Sequence, residues 1–351
     1  ATIASAVGSN HVVVHTSGAG GANGGIWIDD PVQYDSSNSL TFLAHDDIMA
    51  SASVQNSGSG DLNLVAGWDG FTGAPGGDGP GPTTIGDVFD IVGLLSTANS
   101  YGASDGDIRV GYAGGEHQEV VVGSRAGDTT VLGYDITIEP APSEETPALI
   151  GYLAPAEGQA DAPGDITVGA ARNINVFGYE GNYAQIGHGT KGADLSASGD
   201  ITVWAEDGYV WISGANSGFG AFAHIGHGGL APDEVLPGTL SGDITVVAGD
   251  EIMVEGGRDV DTFGQIGHGG KDYDDTMSGD ILVGSDEVYV MGGEGDDSQA
   301  QIGHGGSGVD GTLSGHITVI GDTEVVSDVG TAHIGHGSVD GASTGDRTGH
   351  I

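Results

Sequence analysis

Apolar and polar residues alternate with a period of two over short stretches along most of this chain, and no stretch carries a helical period or a capped helix start. Between Ile201 and Ile225 the apolar positions are Ile201, Val203 and Ala205, then Val210 and Ile212, then Ala223 and Ile225. Turn-forming groups such as Glu206-Asp207-Gly208 and Gly214-Ala215-Asn216-Ser217-Gly218 separate them. The pattern predicts three short strands per unit, each turning one side inward.

The unit repeats. Ile-Gly-His-Gly occurs at Ile186, Ile225, Ile266, Ile302 and Ile334, with spacings of 39, 41, 36 and 32 residues. Ahead of each copy runs a segment of the type Gly-Asp-Ile-Thr-Val, at Gly164, Gly199, Gly242, Gly279 (Leu282 replacing Thr) and Gly315 (His316 replacing Asp). A period in this range that drifts by insertion marks a solenoid with variable loops. The expected fold is all-β, a right-handed three-sided parallel β-helix in which one unit makes one coil. Earlier coils are read over Thr129 to Leu153, Asp107 to Arg125, Gly60 to Ser96, Leu40 to Asn56, and near Val12 to Tyr34. About ten coils at a strand spacing of about 4.8 Å give a rod of roughly 48 Å. The chain is thus one solenoid over 1–351, with less regular coils over 1–163 and regular ones over 164–351. Loops such as Trp68 to Asp87 and Glu139 to Pro147 are expected to protrude from one edge.

Composition changes this picture only in detail. The 69 glycines among 351 residues suit a chain that turns every five to eight residues, and no collagen-like triplet period accompanies them. At 37% hydrophobic residues in alternating register, a thin core can be filled, which argues against disorder. With no cysteine, disulfides and thiolate metal sites are excluded. The 50 acidic against 7 basic residues give a net charge of −43, a surface that repels nucleic acid and anionic membranes and attracts divalent cations or basic partners. No run of 18 apolar residues is present to span a membrane. Opening on Ala1 without a leader, the chain reads as a mature or excised segment. Ala1 to Ser5 resemble the tail of one coil and Gly345 to Ile351 the start of another, so neither end is expected to be capped.

Stacking the repeats aligns their chemistry. His188, His227, His268, His304 and His336 would form a ladder with one imidazole per coil. Stacked identical side chains are a general way for a solenoid to satisfy polar groups; neutral imidazole also suits zinc, copper or nickel. Asp165, Asp200, Asp243 and Asp280 would form a second ladder, capping turns or gathering oxygens around calcium. Gly292 to Asp297 partly match a calcium-binding nonapeptide, with Gln299 where an apolar residue belongs. No other cofactor is implied. Gly341 to Gly345 spell Gly-x-Ser-x-Gly without the strand-to-helix elbow a nucleophile needs. A carboxylate pair for polysaccharide cleavage would interrupt the repeat locally, and the least repetitive region is Gly67 to Glu119.

Ser39-Leu40-Thr41-Phe42-Leu43-Ala44-His45-Asp46-Asp47-Ile48, followed by Gly60-Asp61-Leu62-Asn63-Leu64-Val65-Ala66-Gly67, resembles the coils of filamentous-haemagglutinin-like bacterial exoproteins, and the two repeated motifs resemble units of very large secreted proteins of that kind. The resemblance implies secretion across the outer membrane, often with a dedicated partner transporter, and a role in adhesion or surface structure. The family's N-terminal secretion domain is not recognisable in this sequence. The chain is therefore expected to be a non-enzymatic structural or adhesive solenoid of the bacterial cell surface. It would stack head to tail on copies of itself, and rods would pack laterally. The alternatives are a section of a longer adhesin that binds glycans or a receptor, with Trp27, Trp68, Trp204 and Trp211 as stacking platforms, and, last, a polysaccharide-degrading enzyme.

Overall fold

The computed structural model describes residues 2–16, 24–68, 106–111, 118–142, 146–155, 159–190, 194–214, 221–230, 238–260, 262–271, 276–309, 311–327, 329–338 and 347–348. They form a parallel β-solenoid with three main faces. The first face stacks Val12–His15, Leu40–Leu43, Leu62–Val65, Thr129–Gly133, Ile166–Ala170, Ile201–Ala205, Ile244–Ala248, 281–284 and 317–320. The second stacks Ile26–Ile28, Ile48–Ala50, Ile108–Gly111, Ile136–Glu139, Ile174–Phe177, Val210–Ser213, Glu251–Glu255, 287–291 and 322–326. The third stacks Val32–Tyr34, Val54–Asn56, Val120–Ser124, Ala148–Ile150, Ala184–Ile186, Phe222–Ile225, Phe263–Ile266, Gln299–Ile302 and Thr331–Ile334. In the last two coils the first and second faces run as single strands, Ile281–Met291 and Ile317–Val326, with a register shift between Gly284 and Glu287.

The alternation seen in the sequence is the packing rule of this core. Ile166, Ile201, Ile244 and Ile281 stack on one another on the first face, and Ile150, Ile186, Ile225, Ile266 and Ile302 on the third, each essentially excluded from solvent. Fully burying each such side chain contributes about 1.5–3 kcal/mol before conformational entropy is subtracted. Equal residues at equal register positions leave the column free of steps, so the same β-branched rotamer fits in every coil.

Among the described residues each main face has nine strands. Two expectations are corrected. The stretches read as separate coils over Gly60 to Ser96 and Asp107 to Arg125 belong to one: Leu62–Val65, Ile108–Gly111 and Val120–Ser124 are its three faces, and a long insertion between the first two imitates an extra period. The chain start is not a coil tail either. Thr2–Val7 is a helix that lies over the end of the core, with Val7 buried and Ile3 and Ala4 packed against it. The Val7 carbonyl anchors that helix by accepting bonds from Ser36 Oγ at 2.9 Å and Asn38 Nδ2 at 2.8 Å. At the other end, Ile320, Val325, Val326 and Val329 stand 45–59% exposed.

Three strands per unit is also too few from Ala148 onward. After the third face the chain doubles back over its outer side through a fourth set of strands, Leu153–Ala154, Gly189–Thr190, Gly228–Leu230, Gly269–Lys271, Gly305–Ser307 and Gly337–Ser338. A fifth set follows, Gln159–Ala162, Asp194–Ala197, Thr239–Ser241, Thr276–Ser278, Leu313–Ser314 and Arg347–Thr348. This side lobe has a second small core of Ala160, Ala162, Leu195, Ala197, Leu240, Met277 and Leu313. It also covers an aromatic stack of Tyr183, Phe222 and Phe263 with ring centroids 4.6 Å apart. The proline-bearing loop after Trp68 and the centre of the Glu139 to Pro147 loop lie outside the described residues.

Candidate functional site

The structure brings the five motif histidines together at the junction of the main core and the side lobe. His188, His227, His268, His304 and His336 stack with centroids 4.8–4.9 Å apart and ring planes within 8° of parallel. Both nitrogens of each ring are engaged. Nδ1 of His188, His227, His268, His304 and His336 accepts the backbone N–H of Tyr152, His188, His227, His268 and His304 in turn, at 3.0–3.1 Å. Nε2 meets the carbonyl oxygens of Gly164, Gly199, Gly242, Gly279 and Gly315 at 2.7–3.1 Å.

Partner chemistry fixes the tautomer. A ring nitrogen that receives an N–H must be the unprotonated one, and one that faces a carbonyl must carry the proton, so each ring is neutral with its hydrogen on Nε2. Burial reinforces this. It pushes His188 and His304 down to about 4 from an ordinary 6.5. His227 and His268 fall well below 6.5 because burial is joined by repulsion from neighbouring rings, and burial lowers His336 too. No lone pair remains to ligate zinc, copper or nickel without breaking an inter-coil bond.

The carbonyls that receive Nε2 belong to the glycines that open Gly-Asp-Ile-Thr-Val, so the two repeated motifs are bonded halves of one device. Within a coil the histidine ties the end of the third face to the start of the first; between coils it holds the backbone of the coil before. The first glycine of Ile-Gly-His-Gly permits this. Gly267, at φ +151°, lies so close to the next coil that an added Cβ would stand 1.9 Å from the Gly303 oxygen. In the coils before the side lobe other residues do the same work: Asn56 Nδ2 and Ser124 Oγ donate to the Gly60 oxygen at 2.7 and 2.8 Å.

The aspartates form a ladder of a different kind. Oδ1 of Asp165, Asp200 and Asp243 accepts the backbone N–H of Asp200, Asp243 and Asp280 at 2.8 Å, and Asp280 Oδ1 takes the N–H of His316 at 2.8 Å. That last bond lowers the Asp280 pKa. The ladder extends upstream to Asp128 and Asp61, and a second one joins Asp47, Asp107, Asp135 and Asn173 at the start of the second face. Sequence reading missed these, although Gly60-Asp61, Gly106-Asp107 and Gly127-Asp128 carried the signal. Arg172 grips the Asp135 carboxylate and covers the Tyr134 ring at 5.0 Å. Among the described residues no three His, Asp or Glu side chains converge as metal ligands. The Gly292 to Asp297 stretch is a turn between the second and third faces, where the Glu294 N–H donates to the Gly257 oxygen at 3.1 Å.

Only Trp27 of the four tryptophans is strongly exposed, at 57%. Trp68 is buried, Trp204 half-buried, and Trp211 half-buried with Nε1 donating to Glu255 Oε2 at 2.8 Å. Gly341 to Gly345 and most of the Gly67 to Glu119 region lie outside the described residues. No known family, curated protein or solved structure matches this chain.

Two substitutions separate the ladders. His268→Leu strands the buried His227 N–H and the half-buried Gly242 carbonyl, and at about 1–3 kcal/mol for the first and about 1 kcal/mol for the second is expected to cost roughly 2–4 kcal/mol in chemical denaturation. Asp243→Asn keeps an acceptor for the Asp280 N–H at an exposed position and removes like-charge repulsion. Its denaturation midpoint is expected to stay within about 0.5 kcal/mol of the parent.

Proposed function

We propose that this protein is a non-enzymatic structural shaft, secreted to a bacterial cell surface, whose repeats serve to make a stiff acidic rod. The observation that carries this reading is the bonding of the two motifs to each other: the residues in each repeat that look most chemical are engaged in closing one coil and holding the next. With −43 of net charge, such a rod stays soluble and holds like-charged neighbours apart until salt or cations screen it. Exposed Ile320, Val325, Val326 and Val329 offer an apolar surface for self-association. Negative-stain electron microscopy at rising concentration and salt tests this: straight rods that join one another are expected. Single rods of one length under all conditions would remove self-stacking from the proposal.

A second reading, adhesion to glycans, has one observation in its favour. Trp27 stands beside Asp29 and Asp30 in an open groove of about 440 Å³ near the helix-covered end, the pairing of aromatic face and carboxylate that sugars use. Glycan-array binding that Trp27→Ala abolishes would favour it over a purely structural role.

A further inference from the structure

Beside the histidine ladder runs a polar column that no repeated motif announces. Gln185, His224, Gln265, Gln301 and His333 occupy one register position in successive coils, on the side of the third face that the lobe covers. The first four are at most 2% exposed. Their N–H groups are satisfied. Gln185 Nε2 donates to the Gly226 oxygen at 2.8 Å, Gln265 Nε2 to the Gly303 and Gly305 oxygens at 3.1 Å, and Gln301 Nε2 to the Gly335 oxygen at 3.0 Å. His224 Nε2 faces the Gly267 oxygen at 2.5 Å.

The acceptor side is left over every time. Gln185 Oε1, His224 Nδ1, Gln265 Oε1, Gln301 Oε1 and His333 Nδ1 have no partner among the described residues. Rotating an amide would not help, because its oxygen would then face carbonyls. One orphaned buried acceptor is costly, and a run of them in register calls for a common donor. Space lies beside the first of them: a Cβ added to Gly229, in the fourth strand set, would meet nothing closer than Gln185 Oε1 at 3.3 Å and the Phe222 ring edge at 4.0 Å, whereas at the equivalent Gly270 and Gly306 the neighbouring backbone oxygen fills that direction.

We propose that the side lobe holds buried water molecules along this column, one in the step from Gln185 to His224 and one in each step from Gln265 onward, each donating one O–H to the acceptor of the coil before and one to that of the coil after, so that each imidazole Nδ1, with its single lone pair, receives one bond. The repeat distance selects this ligand. Equivalent groups in neighbouring coils recur at 4.8–4.9 Å, as the adjacent imidazoles do. For the like amides of Gln265 and Gln301, stacked at that repeat, a molecule about 2.8 Å from both oxygens subtends about 118°, close to the angle between the two O–H bonds of water. The mixture of residues follows as well. Glutamine and histidine share one property at this position, an N–H on one side and a neutral acceptor on the other. A hard alkali cation would be served by the amide oxygens but poorly by the imidazole nitrogens between them.

The test is a crystal structure near 1.2 Å resolution, with a second data set from a rubidium-soaked crystal. Expected are isolated peaks about 2.7–3.0 Å from both flanking acceptors in the steps from Gln185 to His224 and from Gln265 to Gln301, with no anomalous signal. In Gln265→Met the peak between residue 265 and Gln301 should vanish while that between Gln185 and His224 persists. Acceptors resting directly on glycine Cα hydrogens, side-chain amides bonded to one another between coils, or a rubidium peak in the column would each overturn the proposal.

Discussion

Lowering the pH from 7 to 4 is expected to take on the order of 10 °C from the thermal midpoint, with the loss under way by pH 5.5. Unfolded histidines protonate near 6.5, whereas in the folded stack Nδ1 of each ladder ring is filled by a backbone N–H and burial holds the ring neutral. Below pH 6.5 the unfolded chain therefore binds more protons than the folded one, and stability falls with pH until the folded rings titrate. For His188, His224 and His304, each lowered to about 4, this amounts to roughly 3 kcal/mol per ring. Burial raises Asp107, Asp128 and Glu251, so these act with the opposite sign, as does the easing of acidic repulsion. Those contributions gather near pH 4, where carboxylates protonate, and leave the interval from 6.5 to 5 to the imidazoles. Circular-dichroism melts across the range check this. A midpoint unchanged from pH 8 to 4.5 would mean that the rings are not held neutral.

Gly267→Ala should cost on the order of 4 kcal/mol or more, while Gly284→Ala, in the same chain, should be neutral or slightly stabilising. The difference is contact. The Gly267 methyl would lie 1.9 Å from the Gly303 oxygen and 2.4 Å from its carbon, both backbone atoms, at a φ of +151° that alanine avoids. The methyl at Gly284 would meet nothing within 4 Å. Relief at Gly267 requires the coils to separate, which also pulls the His268 N–H from His304 Nδ1. Urea titrations of the two variants read the contrast directly, and equal midpoints would show that the coils are not this closely stacked.

What the sequence made legible was whatever recurs at a fixed place in each unit. Ile201, Val203, Val210, Ile212, Ala223 and Ile225 are all buried, and the five histidines do align. The fourth strand set stayed hidden because its members are two or three residues long and from Gly189 onward begin in glycine, and the fifth because its two- to four-residue strands carry at most two apolar positions each, such as Leu240 and Met277. The Gln185, His224, Gln265, Gln301 and His333 column stayed hidden because its members share a hydrogen-bonding role and differ in identity. One coil read as two because an insertion lies inside it, between Leu62–Val65 and Ile108–Gly111. The Thr2–Val7 helix has too few residues to show a period, and its stability comes from the core end beneath Ile3, Ala4 and Val7.

The coil-on-coil register and the neutral imidazole ladder can be read together in one measurement: ¹⁵N nuclear magnetic resonance of histidine-labelled protein at pH 7, with couplings recorded across hydrogen bonds. The stack predicts Nε2-protonated neutral rings for His188, His227, His268, His304 and His336, and a coupling from the backbone N–H of His227 to Nδ1 of His268, repeated from coil to coil. Rings that titrate near 6.5, or Nδ1 resonances of His227, His268, His304 and His336 that show no backbone partner, would contradict it.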